Sequence, residues 1–314
     1  MKELKILAVV VFFTLVTYYL VEPFAHSQMH KHIESEGFAY EDLADVNLTD
    51  ANVTNGQELV MGAGACLGCH SMEVAGMPAP MDPVTAAQSY GVNPPDLSNA
   101  GAVYDAKFLA DLIKNPAHAL MVEHKFDAEK GQMHPMVPFY GAGGDLDKEV
   151  ADMVAYLQSV AVKKEELTSE QAYELACGRC HANHYAEWTQ LGNKPAFKKE
   201  QEELKYKSDV LDYQDSLKAY MGKLPPDLSI YIRSRGAHYI ETFVENPQNY
   251  LKGTAMPRVG VNEHAMEKVI EYLEDSGDAK RAEREEVGKN VMIYIIIFAI
   301  FAILWKKAIW RDLH

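Results

Sequence analysis

All four cysteines of this 314-residue chain fall in two pentapeptides, CLGCH at residues 66–70 and CGRCH at 177–181. None is left for a distant disulfide or a third metal site. C-x-x-C-H is the attachment pattern of c-type haem: the two thiols add across the haem vinyl groups, and the adjacent histidine is delivered to an axial position of the iron. A thioredoxin-like redox pair needs no following histidine, and no βαβ pattern surrounds either copy. A zinc site needs more Cys or His at regular spacing. The pattern therefore predicts two covalently bound haems, on Cys66 and Cys69 with His70, and on Cys177 and Cys180 with His181.

Each end of the chain is apolar. Ile6 to Val21 carries no charge and follows Lys2 and Lys5; Val291 to Trp305 carries none and precedes Lys306, Lys307 and Arg311. Each run is a little short of the roughly 20 residues a spanning helix needs. Flanking lysines snorkel, and Ile309 and Trp310 extend the second run. The reading is two anchors, residues 1–25 and 288–310, with both basic flanks cytoplasmic and everything between them outside the cell membrane. A cleaved signal peptide ending near Ala25-His26-Ser27 competes for the first run, and a buried core helix for the second. The formal charge is −15, and most of the acid lies between the runs. That argues against nucleic-acid binding. It suits either steering of a basic soluble partner or plain solubility.

An electron-transfer haem takes a methionine as its usual second axial ligand. In the second half, Met256 sits in the loop GTAMPRVG, followed by Met266, Val269, Ile270 and Leu273 at helical spacing. In the first half the matching loop is GQMHPMVPFYGAGG, followed by Leu146, Val150, Met153, Val154 and Leu157. Met136 lies nearer the corresponding position and has Phe139 after it; Met133 and His134 remain alternatives. Met153 reads as core.

The chain also repeats itself. NPPDLS (93–98) and LPPDLS (224–229) are offset by 131, as are Asn115-Pro116 and Asn246-Pro247, whereas the haem motifs are offset by 111. The extra residues fall in the charged stretch KPAFKKEQEELKYKSD, read as an inserted solvated helix or loop. Thr168 and Gln171 form a candidate capping box. The expected fold is all-α: a first domain at 50–162, a linker near Ala161 to Leu167 and a second domain at 165–277.

Each half resembles a class I cytochrome c domain. The second half is more particular: LPPDLSIYIRSR resembles the PPDLS-x-x-x-R-x-R segment of cytochrome c₁, the haem subunit of the quinol-oxidising cytochrome bc complex. The whole resembles the dihaem c₁-type subunits of some bacterial bc complexes. The resemblance implies that the carbonyls of Pro95 and Pro226 orient the ligand histidines, that Leu97 and Leu228 pack on haem, and that Arg233 and Arg235 face haem propionates. The first half lacks both arginines, so its haem environment must differ. The implied role is electron transfer from a Rieske iron–sulfur subunit, beside cytochrome b, to a soluble cytochrome c or a terminal oxidase, on the periplasmic side of a bacterial inner membrane. The alternatives are the dihaem subunit of a cbb-type oxidase and a dihaem peroxidase, which needs an open iron position. Lesser features are the histidines 26, 30 and 32, and the glycan-acceptor patterns at Asn47 and Asn52.

Overall fold

The computed structural model describes residues 2–30, 36–126 and 131–311. His32 lies outside them, and the side chains of His26 and His30 are not described. The chain is mostly helical, and its few strand residues form one two-stranded hairpin at Trp188–Thr189 and Gly192–Asn193.

Most helices begin where the sequence supplies a cap. Asn52, Asp82, Asp105 and Asp145 accept backbone N–H bonds at the starts of Val53–Glu58, Pro83–Tyr90, Ala106–Lys114 and Leu146–Val160. Asn262 does the same for Glu263–Gly277. Thr168 and Gln171 make the expected capping box at Ser169–Tyr173. Asn52 is thus a cap, and the Asn47 side chain accepts from Thr49 N.

In each half a short helix leads into the haem motif and packs against that half's closing helix. Val150, Met153, Val154 and Leu157 of the first closing helix are buried, as are Met266, Val269, Ile270 and Leu273 of the second. Burying such a side chain contributes about 1.5–3 kcal/mol. Leu146, expected on the same face, stays exposed at the first turn.

The two halves share one continuous apolar core. Tyr104 pairs with Val261 across them, and Asp105 N donates to Gly260 O at 2.9 Å. The linker is packed too: Leu167 is buried, and Val162 N donates to Asn99. Gly260, at φ +72°, lies flat on the Phe108 ring, where a Cβ would stand 2.0 Å from the ring.

The charged insertion departs from the expectation of a solvated element. Its first turns are largely exposed, but the helix runs on as Glu200–Met221 and buries Tyr213, Leu217 and Met221. It packs on Pro83–Tyr90 of the first half. The strongly charged segment hid this, because the apolar face begins only past Asp209.

The segment before the first domain crosses to the second half. Tyr40 is fully buried and donates to Val261 O, and Asp42 pairs with Arg258 at 2.6 Å. The two apolar ends form helices Lys2–Ala25 and Arg281–Arg311, long and apolar enough to cross a membrane, with none of their apolar window buried. A Glu3–Lys306 ion pair at 2.6 Å sets the start of one beside the basic end of the other.

Candidate haem sites

The helical turn at each pentapeptide gathers its donors. His70 N and His181 N bond to the carbonyls of Cys66 (3.0 Å) and Cys177 (2.8 Å), and Cys69 N and Cys180 N bond to the same two carbonyls. Both thiols of a motif and its histidine are thereby carried on one tight turn. In each half the approaching helix widens, over Leu59–Ala63 just before the first motif and over Glu174–Gly178 into the second. All four thiols are free. Burial pushes the Cys177 thiol up to about 12 and raises Cys66 and Cys180 as well.

The PPDLS segments explain themselves residue by residue. The Pro95 carbonyl lies 2.8 Å from His70 Nδ1, and the Pro226 carbonyl 2.8 Å from His181 Nδ1. A carbonyl only accepts, so Nδ1 carries the proton and Nε2 keeps its lone pair for a metal. Burial lowers the pKa of both rings, and the Arg179 charge adds to this at His70. Leu97 N and Leu228 N bond to Ser71 O and Ala182 O at 2.9 Å. Asp96 and Asp227 accept Glu73 N and His184 N, both at 3.0 Å. Ser98 and Ser229 hydroxyls accept Val74 N and Tyr185 N. Each segment thus holds its histidine and the turn after it at four points. The repeated proline and leucine had been singled out; the aspartate and serine, repeated in the same motif, had not.

The methionine loops share a second pattern. Met256 N bonds to Thr254 Oγ1 at 3.4 Å, and Met136 N to His134 Nδ1 at 3.1 Å. Met136 and Met256 thus share one local feature, each tied through its N–H to the side chain two residues before it. His134 uses Nδ1 on Met136 and sets Nε2 3.3 Å from the Tyr220 hydroxyl, which occupies both ring nitrogens. Met133 is exposed. Met256, Phe139, Leu97 and Leu228 pack half-buried against the core. A cleft of about 450 Å³ opens between Tyr90 and Gly91 on one wall and Pro135 and Tyr220 on the other. Tyr90 lies beside the Cys69 thiol, so this cleft adjoins the first motif.

The two sites are not equal. Trp188 seals the second motif, donating to Gly178 O at 3.1 Å, whereas nothing crowds Gly68 in the first. Arg233 and Arg235 are exposed on Tyr231–Arg235, and the Arg235 guanidinium lies over the Tyr239 ring at 5.2 Å. Two other arginines take their places from the fold and not from a fixed motif position. Arg258, the lone charge in GTAMPRVG, is fully buried. Arg179, inside the second motif, reaches the first half. Its Nη1 donates to Asn93 O at 3.0 Å.

The donor set fits haem c. Each site offers two free thiols on one turn and a neutral imidazole fixed through Nδ1, with a half-buried methionine in the matching loop. Among the described residues no cluster of three or more His, Cys, Asp or Glu stands together as a bare-metal site requires.

No curated protein matches the chain in sequence. Among solved structures, a chain titled "Hyperthermophilic respiratory Complex III" is similar at 22% identity, covering 50% of this chain and 79% of that one, with a TM-score of 0.35. The family model of cytochrome c matches residues 53–161, the span that holds CLGCH, the Pro95 carbonyl, the Met136 loop and the closing helix. That span of the chain is a cytochrome c domain, of a family that carries its haem covalently bound.

Proposed function

We propose that the chain is a membrane-anchored dihaem electron carrier, built as two tandem cytochrome c domains at 50–162 and 165–277 between anchors at 1–25 and 288–310. The observation that carries this reading is the duplicated site. Outside the matched span, His181 repeats the bond of His70 to a proline carbonyl at the same 2.8 Å, within the same brace of Asp, Leu and Ser. Cys66, Cys69 and His70 with Met136 would hold one haem, and Cys177, Cys180 and His181 with Met256 the other. Haem iron supplies one-electron chemistry between two oxidation states. The chain's own work would be to fix the two imidazoles through the Pro95 and Pro226 carbonyls and to offer Met136 and Met256 as second ligands.

The finer role follows from LPPDLSIYIRSR. Its likeness to cytochrome c₁ favours a place in a cytochrome bc complex, beside cytochrome b and a Rieske subunit, with a soluble cytochrome c or terminal oxidase as acceptor. Arg233 and Arg235 are exposed and so free to meet haem propionates. The paired anchors favour a periplasmic position for the domains, with both termini in the cytoplasm. A methionine in the matching loop of each half disfavours a peroxidase, which needs an open iron.

Intact mass after acid–acetone extraction tests the core of this. The expected mass is polypeptide plus two haems; one haem or none refutes it. Purification from membranes tests the rest, with cytochrome b and a Rieske subunit expected to co-purify. Oxidase subunits in their place refute the bc assignment.

A further inference from the structure

The two haem motifs are joined by one side chain. Arg179 stands between Cys177 and Cys180, two residues before His181. Its Nη1 donates to the Asn93 carbonyl at 3.0 Å. Asn93 is two residues before Pro95, whose carbonyl fixes His70 Nδ1. A path of one side chain and two hydrogen bonds therefore runs from the second motif to the first ligand histidine. The bridge is braced from the insertion helix. The Tyr213 hydroxyl donates to Arg179 O at 2.9 Å and accepts from Asn93 N at 3.1 Å. Tyr213 is itself fully buried.

Among the described residues no carboxylate forms an ion pair with the charge on this bridge. The groups that face it are the Tyr104 and Tyr213 hydroxyls and the Cys180 thiol. Arg179 Nε is buried and makes no hydrogen bond among the described residues. A guanidinium stays charged at any working pH, and a buried charge is screened far less than a surface one. A cation held beside an iron disfavours the more positive, oxidised state.

We propose that Arg179 couples the two haem sites: it is a positioning residue, anchored to the loop of the first site, whose charge raises the reduction potential of both. The inference rests on the two-haem reading and gives it an internal link.

The test is a potentiometric titration of the full chain, resolving both haems, in wild type, Arg179→Gln and Arg179→Lys. Glutamine keeps a donor for Asn93 O and loses the charge; lysine keeps the charge. In Arg179→Gln both midpoints should fall, each by about a tenfold change in the reduction equilibrium, which is about 59 mV for one electron. Arg179→Lys should restore most of the shift. A first-haem midpoint unmoved in Arg179→Gln overturns the coupling, and so does a lysine variant that shifts as far as glutamine. Should Arg179→Gln fail to assemble, Tyr213→Phe removes the brace and leaves the charge. Both midpoints should then shift together by a smaller amount, and movement of the second alone overturns the proposal. Haem count in the wild type separates the two readings. Two haems with no coupling overturns only this inference, whereas fewer than two overturns the two-haem reading and this inference with it.

Discussion

Removing the Asp42 carboxylate should loosen the second methionine loop from a distance. Arg258 is fully buried two residues after Met256, and its Nη1 pairs with Asp42 at 2.6 Å. Its Nε donates to Ala119 O at 2.9 Å, and its guanidinium stacks on Tyr40 at 5.7 Å. Nη2 is already buried without a hydrogen bond among the described residues. Asp42→Ala removes the carboxylate that pairs with the guanidinium among the described residues. Breaking a buried pair from one side costs about 3–5 kcal/mol. The Asp42 side chain is 20% exposed, so water recovers part of that, and the cost here should be about 2–4 kcal/mol. At about 2–4 °C per kcal/mol for a chain of this size, Tm should fall by about 4–16 °C. Asp42→Asn keeps an acceptor and should lose about half as much. Scanning calorimetry of the detergent-purified protein measures both. The sulfur-to-iron charge-transfer band of the oxidised protein, followed on the same ramp, should vanish earlier in Asp42→Ala. A Tm within a degree of wild type for both variants would refute the reasoning, since the guanidinium must then find other compensation.

Four further outcomes are expected. Gly56→Ala would place a Cβ 1.9 Å from Asp152 O where two helices touch, so overpacking should cost about 2 kcal/mol or more and lower Tm. Burial raises the Asp96 carboxyl, but hydrogen bonds from Ser98, Ser71 and Glu73 N outweigh it and hold the pKa below its ordinary value. A depressed folded pKa means stability present above the unfolded value of about 3.9 and lost as pH falls through the folded one, so urea titrations should show Asp96→Asn flattening that acid limb. A reporter active only outside the cytoplasm should be silent after His314 and active when inserted between Pro195 and Ala196, in an exposed loop. Met256→Leu removes the sulfur at nearly constant volume and should slow quinol-driven reduction of both haems, whereas Met136→Leu should block only exit to the acceptor; stopped-flow spectra giving the reverse order would invert the proposed route.

The primary sequence alone determined everything that depends on neighbours along the chain. The C-x-x-C-H spacing puts thiols and histidine on one turn whatever surrounds it, and the Thr168–Gln171 box caps its own helix. The helical period of the closing helices named their buried faces, with Leu146 the exception at a first turn. Chain length and charge at the ends named two membrane-length helices, though not their pairing through Glu3 and Lys306. What the tertiary structure decided lies between elements far apart in sequence. The repeat suggested two separate domains, yet one core runs through both, because Tyr104 pairs with Val261 and Phe108 lies against Gly260 across the halves. Spacing favoured Met136 over Met133; the tie of Met136 N to His134 Nδ1 was visible only in the fold. Arg258 and Arg179 are enclosed only by segments distant in sequence, as is Tyr213, which meets Asn93. Local patterns carry caps, turns and attachment chemistry; burial of a charge is a property of what other segments close over it, and no window of the sequence holds that.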